Sequence, residues 1–154
     1  IITEQKYHDF ELSIDFKITK GANSGIKYFI SENGSIGCEF QILDDENHPD
    51  AKMGFNNNRR LGSLYDIIPA DGWAHANHYG WNTARIVVKG NKVEHWLNGV
   101  KILTYEKGCQ MWDALVSHSK FAKVNNFAGG DGGHILLQDH FDEVHFRNLK
   151  IREL

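Results

Sequence analysis

Phe10, Leu12, Ile14, Phe16 and Ile18 alternate with Glu11, Ser13, Asp15 and Lys17. This is the period-two pattern of a strand with one buried and one wet face. The stretch Gly21-Ala22-Asn23-Ser24-Gly25 breaks it, residues 26–30 read as the return strand, and Asn33-Gly34 marks the next turn. Residues 36–43 form a further strand, with Phe40 and Ile42 on one face and Glu39 and Gln41 on the other. Residues 44–60 are polar, hold Pro49 and Gly54, and have no sustained period, so they read as a long loop. Residues 63–68 read as a short strand ended by Pro69, and 70–80 as a second irregular stretch carrying Trp73, His75, His78 and Tyr79. Those aromatics suit either stacking on a sugar ring or packing over a sheet edge.

A meander follows. Residues 84–89, 92–97 and 100–105 are strand-like and joined through Gly90-Asn91 and Asn98-Gly99, the latter a strong hairpin signal. Met111, Trp112, Leu115 and Val116 have helical spacing and predict one short helix over 110–118. Residues 121–131 read as loop, ending in a Gly-rich run that lacks the Lys-Ser/Thr of a phosphate loop and leads into a strand. In that strand Ile135, Leu137 and Phe141 face one way, and His134, Gln138 and His140 the other, with Leu136 among them. In the last strand Val144 and Phe146 share one parity while Leu149 and Ile151 share the other, which calls for a bulge near Arg147-Asn148. Short strands, Gly and Asn turns and a single helix predict an all-β protein, an antiparallel β-sandwich built as one domain over 1–154.

Composition narrows the partners. The 154 residues carry a formal net charge of -3, against nucleic acid as a partner, which needs a basic surface. No apolar run approaches the ~20 residues of a membrane span. Two free thiols are favoured over one disulfide for Cys38 and Cys109, which are far apart and in no metal-binding spacing. The chain opens with Ile1 and shows no signal peptide, so its location is not legible from this end.

The candidate chemistry sits where polar side chains interrupt the wet faces of apolar strands. Glu39 and Gln41 do so on one strand, Gln138 and His140 on another. A sheet can bury one face and offer the other to a ligand.

Several motifs together resemble one family. They include Asn23-Ser24-Gly25-Ile26-Lys27-Tyr28, Glu39-Phe40-Gln41-Ile42-Leu43-Asp44-Asp45, His48-Pro49-Asp50-Ala51-Lys52, Gly62-Ser63-Leu64-Tyr65-Asp66, Glu94-His95-Trp96-Leu97-Asn98-Gly99, Ile135-Leu136-Leu137-Gln138-Asp139-His140 and Phe146-Arg147-Asn148-Leu149-Lys150-Ile151. The order and coverage are similar to the 3-keto-disaccharide hydrolases of Bacteroidetes and related bacteria. The resemblance implies a concanavalin-like jelly roll with a sugar-holding face, an oligosaccharide or glycoside substrate, and a periplasmic or extracellular location. Two departures stand out. The chain looks trimmed before Ile1, and Phe141 stands where the family tends to have Gly.

A substrate already oxidised to a ketone at C3 has an acidic C2–H, with the glycosidic oxygen β to the resulting carbanion. Its bond can break by elimination, with water adding later to give net hydrolysis. That needs a base near C2 and an electrophile on the enolate oxygen, whereas an ordinary glycosidase needs two facing carboxylates. On this reading Glu39, His140 and Gln138 are the catalytic candidates. Gln41, Asn23, Lys27, Lys52, Tyr65 and His95 are candidates to bind substrate, with His95 equally readable as a satisfied core histidine. A divalent metal suits the electrophile's task, and His140 with Glu39 would be its ligands. The rival reading is a non-catalytic, lectin-like carbohydrate-binding module, since the same sandwich hosts both.

Overall fold

The computed structural model describes residues 1–31, 34–130 and 132–154. Its elements run β1 (Phe10–Ile18), β2 (Asn23–Ile30), β3 (Cys38–Leu43), β4 (Asn82–Lys89), β5 (Lys92–Leu97), β6 (Val100–Glu106), α1 (Gln110–Ser117), β7 (His134–Leu137) and β8 (Val144–Glu153). All described strand pairings are antiparallel. They form a five-stranded sheet in the order β6-β5-β4-β1-β8 and a three-stranded sheet in the order β3-β2-β7. The two sheets make a β-sandwich, as the alternation along the chain requires. No helix among the described residues is long and apolar enough to cross a membrane.

The inward row of β1 meets that of β4 and packs with Ile26, Phe40, Ile42, Ile135 and Leu137 of the smaller sheet in one apolar core. Asn98 and Gly99 both adopt positive φ, 49° and 82°, the backbone a two-residue hairpin demands. The bulge expected near Arg147-Asn148 is present. The β1–β8 register slips between Ser13 and Asp15, opposite Lys150 and Arg147, and Asn148 turns to φ 53°. Arg147 lies over the Trp81 ring and contacts Asp15, while Glu143 bonds His145.

Other expectations needed correcting. β2 begins at Asn23 rather than after Gly25, so the break is confined to the turn before it, where Gly21 takes φ 75°. Residues 63–68 do not form a strand. Leu64 bridges both Phe40 and Ile68, and Asp66 at φ 63° reverses the chain. The long loop contains a 3-10 turn over Pro49–Lys52. The parity read past β7 fails because the strand stops at Leu137, and Phe141 is 98% exposed rather than inward. Its φ of 65° is the left-handed conformation that glycine adopts freely and phenylalanine does not. The Asn33 half of the expected Asn33-Gly34 turn, and Asp131 of the Gly-rich run, lie outside the described residues. Both cysteines are free thiols.

His95 is the polar centre of the core. It is fully buried, with Nε2 2.6 Å from the Tyr28 hydroxyl and Nδ1 2.9 Å from the Gly62 carbonyl oxygen, while Tyr28 also meets the Tyr105 hydroxyl at 2.9 Å. A carbonyl can only accept, so Nδ1 carries the proton and Nε2 accepts from Tyr28. Burial holds the ring neutral and pulls its pKa down to about 4. It therefore cannot contact a substrate, and the core-histidine reading replaces the binding role.

His95→Ala should destabilise the fold by ~3 kcal/mol in urea unfolding, since it leaves a cavity, an unpaired Gly62 carbonyl and a Tyr28 hydroxyl that has lost one of its two partners. The ring takes up a proton more readily unfolded than folded. The wild type should accordingly lose stability as pH falls from about 6.5 towards 4, and a variant with no residue 95 imidazole should lose that part of the dependence.

Candidate active site

The outward face of the three-stranded sheet carries the chemistry. Antiparallel register sets Lys27 of β2 opposite Glu39 of β3, and Gly25 opposite Gln41. On the other flank of β3, Gly62 donates to the Gln41 carbonyl, Gln41 to that of Ser63, and Tyr65 to that of Glu39. The loop thus lies along β3 like a further strand. On the far side, residues 1–7 run along β7 through bridges at Ile2–Leu136 and Tyr7–Gly133. His134, read on the ligand face, instead lies buried with Nδ1 2.9 Å from the Thr3 carbonyl and anchors that segment.

Glu39 is only 5% exposed. Its Oε2 lies 3.8 Å from Lys27 Nζ. With the amides oriented by their hydrogen-bond partners, Gln41 donates to Oε1 at 3.0 Å and Gln138 donates to it at 3.2 Å. The Gln138 carbonyl then accepts from Lys27 Nζ at 3.1 Å, and the Gln41 amide also reaches the Ser24 carbonyl at 3.0 Å. Burial pushes the Glu39 carboxyl up to about 7. The Lys27 and Lys120 ammonium groups pull it back, and the Asp50 carboxylate adds to the rise. A carboxylate poised near neutrality is suited to taking a proton and giving it up again.

Gly25 makes this arrangement possible. A Cβ built there would lie 2.3 Å from Glu39 Oε1 and 2.8 Å from its Cδ. Sequence reasoning missed Gly25 as a site residue, although a glycine inside a strand signals close approach of another group.

Glu39 opens onto a pocket of about 280 Å³ whose wall includes Lys27, Lys120, Ser35, Ile36, Phe121 and Val124. A larger cavity of about 450 Å³ lies against α1, lined by Lys107, Trp112 and Phe127 among others, and does not reach Glu39. The chemistry, not the volume, places the site at the smaller pocket. Its far wall is held by a polar clamp that sequence reasoning recognised only at Tyr65. Tyr65 donates to Asp50 at 2.8 Å, Arg59 bonds both Asp50 at 2.9 Å and Asp66, and Asp66 accepts from the Lys120 main chain at 2.7 Å.

The structure brings Glu39, Gln41, Gln138 and Lys27 together and sets Tyr65 beside them. Gln41 is 1% exposed and holds the carboxylate from beneath rather than facing the pocket. Asn23 is buried beside the Gln41 side chain. Lys52 is exposed at the end of the 3-10 turn. His140 is exposed beyond the end of β7 and is not among the residues that bond the Glu39 carboxylate or line its pocket. The reason is local: only the Gln138 main chain, donating to Gly25, still follows the sheet. Among the loop aromatics, Trp73 stacks on His78 with ring centroids 4.1 Å apart, and Tyr79 bonds Asp44.

A metal fits this donor set poorly. No group of three or more His, Cys, Asp or Glu side chains among the described residues is arranged to hold one. The oxygens of Glu39 are already met by two amides and an ammonium group.

The fold and site together define a lectin-like sandwich with a buried carboxylate at an outward pocket of its smaller sheet. The chain belongs to the family of 3-keto-alpha-glucoside-1,2-lyase-like domains, whose profile matches residues 1–152. It is 37% identical over 179 aligned positions to a 3-keto-disaccharide hydrolase of Bacteroides thetaiotaomicron, covering 100% of this chain and 61% of that protein. It therefore spans about three-fifths of that relative's length. A candidate glycosyl hydrolase of Parabacteroides distasonis superposes with a TM-score of 0.87 at 28% identity, over 99% of this chain and 73% of the other. The carbohydrate-binding module CBM66 of Bacillus subtilis shares the fold, with a TM-score of 0.53 at 12% identity over 97% of this chain and 78% of its own.

Gly25→Ala should leave the fold intact but drive the Glu39 carboxylate from its seat. A carbon-detected NMR titration should find the wild-type carboxyl near pH 7 and the variant's moved down towards the ordinary glutamate range. An unchanged midpoint would show that the strand glycine has no part in setting it.

Proposed function

We propose that this domain cleaves the glycosidic bond of 3-keto-glycosides by 1,2-elimination, with Glu39 as the base at C2. The observation that carries this reading is the buried Glu39 carboxylate, pushed up to about 7 beside a pocket. An ordinary glycosidase needs a second free carboxylate across the scissile bond. Asp50 is the acidic neighbour whose charge Glu39 feels, and both its oxygens are committed, to Arg59 and to Tyr65. One base suffices once a ketone has acidified the C2–H. The family's description as 1,2-lyase-like and the hydrolase name of the relative support the same reading.

The sequence of events follows from the atoms. Glu39 takes the C2 proton, and the electron pair passes to the ketone oxygen as an enolate. The enolate collapses to form the C1–C2 double bond and breaks the bond from C1 to the aglycone oxygen, which leaves with a proton from water. Protonated Glu39 exchanges its proton with solvent and delivers one to C2 as water adds at C1, giving net hydrolysis. Gln41 and Gln138 fix the carboxylate's direction, and Lys27 favours its charged form. A lectin has no use for such a base.

Five measurements test this. The base works ionised, so kcat/KM on a 3-keto-glucoside should fall tenfold per unit below about pH 7 and level off above it. Glu39→Gln should lower kcat/KM at least ~10²-fold. Because the folded state binds the Glu39 proton more tightly than the unfolded chain, ionisation costs stability as pH rises from 4.5 to about 7. The Gln variant should therefore gain in Tm relative to wild type above pH 7. Unoxidised glucosides should remain intact, and reaction in deuterated water should place deuterium at C2. Equal cleavage of both substrates with no label at C2 would sink the proposal.

A further inference from the structure

Removing the C2 proton puts a negative charge on the ketone oxygen, and a base alone does nothing to hold it. Two cations share the Glu39 pocket, Lys27 and Lys120. They are differently committed. Lys27 is drawn to the carboxylate, with Nζ 3.8 Å from Glu39, 3.4 Å from the Ser35 carbonyl and 3.1 Å from the Gln138 amide oxygen. Lys120 pairs with no carboxylate at ion-pair distance among the described residues. Its ammonium lies over the Tyr65 ring, 4.0 Å from the centroid, and 5.2 Å from that of Phe121. A ring face steadies a cation without neutralising it.

The mount of Lys120 is rigid and leads back to the base. Its main-chain nitrogen donates to Asp66, Asp66 bonds Arg59, Arg59 bonds Asp50, and Asp50 accepts from Tyr65. The Tyr65 main chain in turn donates to the Glu39 carbonyl at 3.0 Å. Asp66 holds this place at φ 63°, in the left-handed region that aspartate enters more readily than most residues.

We propose that Lys120 is the electrophile of this site: its ammonium holds the charge that develops on the C3 oxygen as Glu39 takes the C2 proton. The inference rests on the elimination reading above. Lys120 keeps its proton throughout. The proton moves from C2 to Glu39, the electron pair to the oxygen and then into the C1–C2 bond, and the aglycone leaves. Tyr65, Asp50, Arg59 and Asp66 are positioning residues.

The test uses the full chain and a 3-keto-glucoside with a chromogenic aglycone. Lys120 is solvent-facing, so its variants should fold, which circular dichroism checks. Lys120→Met should lower kcat/KM by about 10²-fold, the typical loss of one oxyanion donor, with the fall in kcat rather than KM. It should also move the acid limb of the pH profile upward, because a charge that keeps Glu39 ionised is gone. Lys120→Arg should retain the limb and recover part of the rate. Full activity in Lys120→Met, or a loss confined to KM, overturns the assignment while leaving the elimination standing. An inactive Lys120→Arg, with a sugar adduct on Lys120 of the wild type after borohydride reduction, overturns it in favour of a covalent imine. A wild type that leaves 3-keto-glucosides intact brings down the elimination and this assignment with it.

Discussion

The site depends on a carboxylate kept under cover on a strand that is buried on both sides. All six residues of β3 are buried. Cys38, Phe40 and Ile42 join the apolar core, which holds the strand in place, and that leaves Glu39 and Gln41 pointing the other way under the loop. Taking an ionised carboxylate out of water is costly unless hydrogen bonds and a counter-charge replace the solvent. Two amides and the Lys27 ammonium do so here only in part, and the residue of that cost is the carboxyl's shift towards neutrality. Stability and reactivity are two readings of one desolvation.

That cover is made by a segment with little regular structure. The long loop and the reversal at 63–68 that follows it carry Asp50, Arg59, Tyr65 and Asp66, and their mutual bonds give this segment the definition that a strand would otherwise obtain from its ladder. Its main chain is satisfied along the free edge of β3, so the edge is closed and the pocket wall is fixed in the same contacts. A loop tied down in this way can hold charged groups at set positions around a site, which a mobile loop cannot. The same economy appears in the core. His95 satisfies Tyr28 from one sheet and Gly62 from the base of the loop, joining the sandwich interior to the site's cover.

Much of the fold was legible in the residues. Strict alternation over Phe10–Ile18, the Asn-Gly turn after Leu97 and the parity change in the last strand each have a local cause, and each appears where the chain placed it. The polar residues at Glu39, Gln41 and Gln138 were legible for the same reason, since period two decides which face a side chain takes as long as the strand lasts. Where the strand stops the rule stops, and His140 and Phe141 fell outside it. Residues 63–68 looked like a strand because their apolar content is that of a buried segment, yet a reversal at Asp66 uses that content to line β3 instead.

By itself the sequence determined the all-β class, the number and order of most strands, and which residues of each strand share a face, because these follow from backbone geometry repeated along a few neighbours. It could not determine which polar groups meet. Gly25 yielding its side-chain volume to Glu39, Lys120 arriving from a loop 81 positions later, and His95 turning inward to Tyr28 all depend on strand register and on chain reversals far apart in sequence. The tertiary structure alone decided them. Burial, which sets the charge state of both Glu39 and His95, belongs to the assembled sandwich and to no single stretch of chain.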